Sequence, residues 1–145
     1  MTELVASISI DAPPAVVWSV LSDFDAYPSW NPFIPTIEGD AITGTRLRVR
    51  IEPPDSRAAT LRPRVLEATP GRRLVWLGRL GLPGLFDGKH AFELEALPDD
   101  RTRFTQRETF HGLLVGLLLD ESNVRRGFEA MNEAIKTRAE ARVVA

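Results

Sequence analysis

The sequence predicts an α+β domain, an antiparallel sheet of about seven strands curling round one long C-terminal helix. Three observations predict it. An opening period-two segment gives way to a short amphipathic helix, a long middle region breaks into hairpins, and the chain ends on sustained helical period.

Leu4, Ala6, Ile8 and Ile10 alternate with Val5, Ser7 and Ser9, a first strand that stops at Asp11. Asp11 suits an N-cap, and Pro13 and Pro14 suit a first helical turn, where a missing N–H costs nothing. Val16, Val17, Val20 and Leu21 then form one apolar stripe. Asp23 to Pro35 sets three prolines among four aromatic residues. That stretch is too interrupted for a long helix and too apolar for a solvated loop, so its rings must cover something. From Thr36, Gly39-Asp40 and Thr43-Gly44 mark turns, while Leu47, Val49 and Ile51 alternate with Arg46, Arg48 and Arg50. A strand is expected over 58–68, ended by Thr69-Pro70-Gly71, and another over 72–80, ended by Gly81, Pro83 and Gly84. Residues 89–97 and 102–110 flank the turn Pro98-Asp99-Asp100 and form the clearest hairpin. After Gly112, Val124, Phe128, Met131 and Ile135 recur at helical spacing, with charged residues on the other faces.

Without internal repeat or linker, the 145 residues read as one domain, 1–145. Lys+Arg 18 against Asp+Glu 20 supplies no basic field for a phosphate backbone, so no nucleic acid is expected as partner. Arg46, Arg48, Arg50, Arg62 and Arg64 alternate outward as a solvated basic face, with neither interleaved aromatics nor a recognition helix. Zero cysteines exclude disulfides, thiolate nucleophiles and thiolate zinc sites. The first ten residues lack the basic and apolar regions of a signal peptide, and no run approaches the ~20 apolar residues of a membrane span, which makes a cytoplasmic location the expectation.

The opening strand running into Ala12-Pro13-Pro14-Ala15-Val16-Val17-Trp18, the segment Phe24-x-x-Tyr27-Pro28-x-Trp30-Asn31-Pro32-Phe33, Arg62-Pro63-Arg64-Val65-Leu66 and Gly127-Phe128-Glu129-Ala130-Met131-Asn132 cover the chain from end to end. In these the sequence resembles the Bet v 1/START-like (SRPBCC) superfamily, in its polyketide cyclase/dehydrase-like branch. The resemblance implies a helix-grip fold with a cavity between the sheet and the last helix, used for lipids, sterols, polyketides, quinones or occasionally a protein client. It carries over no catalytic residue, because the superfamily has no common catalytic motif to match.

Strand parity supplies the candidate cavity surface, since residues two apart share a face. Phe92 and Leu94 set the inner face of one hairpin strand and bring His90 inside. Phe104 and Phe110 do the same for Gln106 and Glu108. Arg103, Thr105 and Arg107 then oppose Glu93 and Glu95 outside, a charge ladder that supports the register. A carboxylate at Glu108 on a dry face needs a partner, a proton or cavity water. Trp76 faces inward with Leu74 and Gly78, to fill the core or to stack on a ligand. Trp30 and Phe33 lie in the proline-rich segment, as mouth lining or as a plug. Phe86, Phe128 and Met131 complete the candidate ligand-binding set. The apolar runs Leu80–Phe86 and Leu113–Leu119 suit a lid, a homodimer contact or transient membrane contact.

Metal chemistry is poorly supported. His90 and His111, the two histidines, point to opposite faces. No nucleophile elbow, GxGxxG or GxxxxGK[ST] motif occurs, so no nucleotide cofactor is expected. The favoured function is binding or transport of a hydrophobic small molecule. The alternative is a polyketide cyclase/dehydratase-like enzyme, with Glu108 and His90 as acid-base candidates, and a protein-interaction module comes third.

Overall fold

The computed structural model describes residues 1–144. β1 (Thr2–Ile10) leads into α1 (Pro14–Leu21) and a 3-10 turn at Phe24–Ser29. Then come β2 (Thr36–Glu38), β3 (Arg48–Ile51), β4 (Ala59–Leu61), β5 (Arg64–Thr69), β6 (Arg73–Arg79), β7 (Asp87–Leu97) and β8 (Arg101–His111). A single turn of helix, α2 (Val115–Leu118), precedes the 24-residue α3 (Glu121–Val144). This is the predicted α+β, helix-grip architecture. No helix among the described residues is long and apolar enough to cross a membrane.

The strands form a five-stranded sheet ordered β1-β8-β7-β6-β5 and a three-stranded sheet ordered β2-β3-β4, antiparallel throughout. The single strand expected over 58–68 is therefore two strands in two sheets. Pro63 lies at the break: it has no N–H to give a ladder, and its carbonyl accepts from Leu47 N at 2.8 Å. Val65 N donates to Thr45 O at 2.9 Å, so segment 44–51 borders both sheets and turns the corner between them. The curl follows from that corner and from a bulge in β5 between Val65 and Glu67.

The β7–β8 hairpin has the expected register, with Glu95 opposite Arg103 and Glu93 opposite Thr105. Arg107 reaches Glu93 and Glu3, each at 3.4 Å, on the outer face. Asp99 and Asp100 take left-handed φ values of 64° and 55°, a conformation a short polar side chain tolerates.

Asp120 caps α3, its Oδ1 accepting from Asn123 N at 3.1 Å. The buried stripe is Gly127, Phe128, Met131, Asn132, Ile135 and Ala139, with Val124 half-buried ahead of it. At Gly127 any Cβ would collide with the ring of Phe33, so the missing side chain is what lets the 23–35 segment lie against the helix. Other side chains of α3 fasten it to β1, whose outer edge has no strand neighbour. Arg125 donates to Val5 O at 2.8 Å and Lys136 to Ser9 O at 3.2 Å. Eleven helical residues rise roughly 16 Å and four strand residues roughly 13 Å, a mismatch that two long side chains absorb. The contacts occupy edge carbonyls that would otherwise invite another strand.

Glu140 completes this fastening by accepting from Asp11 N at 2.9 Å and from Lys136. Burial pushes its carboxyl upward, but the hydrogen bonds from Lys136 and Asp11 and the Lys136 charge together outweigh that and hold it below its ordinary value. A depressed carboxyl stabilises the fold above its unfolded value and loses that contribution as pH falls through the folded one. Glu140→Gln is therefore expected to lower stability at pH 7 by at most about 1 kcal/mol, as for other half-exposed ion pairs. The difference from the parent should shrink on acidification below the ordinary carboxylate range, read by chemical denaturation at both pH values.

Candidate functional site

Three cross-strand rows of the large sheet build the site. One runs Trp76, His90, Glu108, Leu4, and the next runs Leu74, Phe92, Gln106, Ala6. Strand parity placed His90, Gln106 and Glu108 inside, and there they touch one another. His90 Nδ1 lies 3.1 Å from Glu108 Oε1, and His90 Nε2 lies 3.0 Å from Gln106 Oε1. Gln106 Nε2 donates to Asn132 Oδ1 at 2.9 Å and to Phe128 O at 3.3 Å. A buried polar chain thus runs from Glu108 on β8 to His90 on β7, back to Gln106 on β8 and on to α3. Asn132 was missed in the sequence because the helix face was drawn through its large apolar residues.

The Phe128 carbonyl can only accept, so the amide end of Gln106 beside it must be the NH2 group, and its oxygen faces His90. The imidazole then has an oxygen acceptor at each nitrogen. Nε2–H then donates to the Gln106 oxygen, and a single proton shared between Nδ1 and Glu108 Oε1 makes the second contact a hydrogen bond as well. Aromatic rings surround that imidazole. Phe92 stacks on it at a centroid distance of 4.3 Å, Phe128 meets it edge-on at 5.0 Å, and Trp76 lies at 5.7 Å. A ring face at such a distance attracts a cation.

The third row contains Gly78 opposite Gly88, both buried, with Phe110 beyond. Paired strand positions without side chains leave the sheet bare where α2 and the start of α3 pass over it. A cavity of about 190 Å³ opens there. Trp76, His90, Glu108 and Phe110 form its floor, Phe33, Phe86, Leu119 and Val124 cover it, and Arg57, Arg79 and Asp120 are among its remaining lining. Of the candidate residues, Phe33, Trp76, Phe86, His90, Glu108 and Phe110 line this space. Phe92, Gln106, Phe128 and Met131 are fully buried behind it, because α3 packs tightly on the sheet along the rows of Phe92 and Phe104.

Trp30 also lies away from the cavity. The 3-10 turn folds the segment back onto α1, where Tyr27 donates to Leu21 O and meets Phe24 and Trp30 edge-on at 5.5 and 5.1 Å. Burial pushes the Tyr27 phenol far above its ordinary range, with the Asp23 charge adding to it. Phe33 alone reaches the cavity from this segment. Asn31 sets its direction, Oδ1 accepting from the N–H groups of Phe33 and Ile34 at 3.0 and 2.8 Å. The two apolar runs meet beside the cavity: Leu113 N donates to Gly84 O at 3.1 Å and Leu114 N to Leu85 O at 2.9 Å. Leu82, Leu113, Leu117 and Leu118 stand exposed there.

A curved sheet gripping one helix over an apolar cavity defines a START-like, Bet v 1-like fold. The chain belongs to the family described as polyketide cyclase / dehydrase and lipid transport, whose profile matches residues 1–140. No curated protein matches the sequence. Among solved structures it is similar to the Zhui aromatase/cyclase of Streptomyces sp. R1128, with 21% identity, TM-score 0.78, and 98% of this chain and 95% of that one covered. It is similar too to a START superfamily protein of Mycobacterium smegmatis, with 19% identity, TM-score 0.71, and 96% and 97% covered. A norcoclaurine synthase of Thalictrum flavum shares 16% identity at TM-score 0.71, with 95% and 93% covered. At such identities the likeness is one of fold.

Gln106 holds two buried neighbours at once, so Gln106→Leu should leave His90 Nε2 and Asn132 unpartnered. The expected cost is about 1–3 kcal/mol, the ordinary penalty for orphaning buried polar groups, measured by denaturant unfolding. The half-buried Thr109→Val, in the opposite strand parity, serves as a control near zero.

Proposed function

We propose that the chain binds a hydrophobic small molecule, a lipid, polyketide, quinone or similar compound, in the cavity between the sheet and the start of α3. One observation carries this reading: an aromatic-walled space of about 190 Å³ whose floor ends in a partnered carboxylate. Apolar cavities of about 150 Å³ take up benzene, so this one suits a ring system of one or two rings or an equivalent chain segment. The family description names lipid transport beside cyclase and dehydrase activity, and both agree with such a cavity.

A cyclase- or dehydratase-like reaction in the same cavity is the second reading, favoured by His90 and Glu108 reaching it together, 3.1 Å apart. There Glu108 would accept a proton from carbon or oxygen of a bound carbonyl compound, and the paired imidazole would steady the charge. Chromatography with mass analysis of the recovered compound separates the readings, because a carrier returns it unchanged, a cyclase returns an isomer of the same mass and different retention, and a dehydratase returns it lighter by one water.

Gly78→Leu tests the site itself. A Cβ there would meet Pro63 Cβ at 3.6 Å and Leu61 Cδ1 at 3.9 Å, ordinary contacts, so the strand accepts a side chain that fills the space. Naphthalene affinity measured by calorimetry should fall at least about tenfold, the loss of roughly 1.4 kcal/mol, with thermal stability unchanged or raised. Unaltered affinity would place binding elsewhere.

A further inference from the structure

We propose that Glu108 Oε2 is the acceptor for a hydroxyl group of the ligand, and that the cavity selects neutral ring compounds carrying a phenol, enol or alcohol at their inner end. This rests on the binding role above.

The polar atoms of the floor are otherwise engaged. His90 uses both ring nitrogens and Gln106 both ends of its amide, while Glu108 Oε1 faces His90. Glu108 Oε2 has no hydrogen-bond partner among the described residues, although its carboxylate lines the cavity. It is turned over the bare backbone of Gly88, where a Cβ would lie 2.6 Å from it. A carboxylate oxygen can only accept, so the matching ligand group must donate. A ketone or ether placed there would leave acceptor facing acceptor. A ligand carboxylate would bring two like charges together. A neutral hydroxyl completes the floor without setting a second charge beside the rings of Trp76 and Phe110. His90 already partners Glu108 Oε1 at 3.1 Å, so the ligand need not supply a cation. Hydroxyl-to-carboxylate bonds are strong enough to decide selectivity inside an apolar space.

Naphthalene, 2-naphthol and 2-methoxynaphthalene share one frame and differ in the group presented to the floor. In calorimetric titration of the intact protein, 2-naphthol should bind about tenfold to a hundredfold tighter than 2-methoxynaphthalene, the range of a hydrogen bond to a charged group. In Glu108→Gln the new amide oxygen faces His90 and the NH2 faces the cavity, so the order of 2-naphthol and 2-methoxynaphthalene should collapse or reverse. Gly88→Ala is the second variant. It obliges only the flexible end of Glu108 to move, keeps the strand, and should also abolish the preference for 2-naphthol. Equal affinity of 2-naphthol and 2-methoxynaphthalene in the parent protein, or a preference that survives both variants, overturns the assignment while leaving the binding role intact. Failure of all three compounds to bind the parent overturns the binding role and this inference with it.

Discussion

A carboxylate on the inner face of a sheet costs several kcal/mol unless it finds a partner, a proton or water, and Glu108 imposes that condition here. Its cross-strand neighbour is His90, the register opposing the two on adjacent strands. Once the imidazole pairs with Glu108, its far nitrogen needs a partner as well. Gln106 supplies it and in turn needs Asn132 and the Phe128 carbonyl on α3. Each step follows from leaving no buried polar group unpaired. The chain of bonds therefore fixes where α3 crosses the sheet, and the aromatic rings around His90 fill the space beside it.

The cavity lies just beyond the end of that polar chain. Along the rows of Phe92 and Phe104 the sheet and helix are filled by Phe128, Met131 and Ile135. One row past His90, Gly78 and Gly88 face each other and the filling stops. The same glycine that opens the space gives the Glu108 carboxylate room to lie over the strand. Packing and chemistry thus share one cause: side chains are missing from two paired positions next to a charged pair. The joined segments of Leu82 and Leu117 stand exposed beside this space.

Much of this was legible because strand parity is a strict geometric rule. Even-numbered positions from 90 to 94 and from 104 to 110 had to share a face, so three polar residues were placed inside, and the ladder of Glu93 and Glu95 with Arg103 and Arg107 confirmed the pairing. Helix stripes are less decisive. Val124, Phe128, Met131 and Ile135 marked the buried face, but Asn132 and Gly127 are on it too, and neither is apolar enough to signal burial. The location of the cavity was hidden for a different reason. It depends on which residue Gly78 meets across β6 and β7, and Gly88 fell just outside the strand expected from Lys89. Pro63 divided a strand that alternation alone read as continuous. Trp30 was placed near a mouth because local composition does not reveal the direction in which a 3-10 turn returns the chain.

The cavity over the paired glycines is the proposed seat of an apolar ligand. Methyl-resolved NMR during titration with naphthalene tests it most directly, since Ile51, Leu61, Leu119 and Val124 border the cavity while Leu74 and Ile135 are packed away from it. The account predicts saturable shifts at the first four and little change at the last two. Shifts confined to the exposed Leu82, Leu113 and Leu117, or none at all, would contradict it.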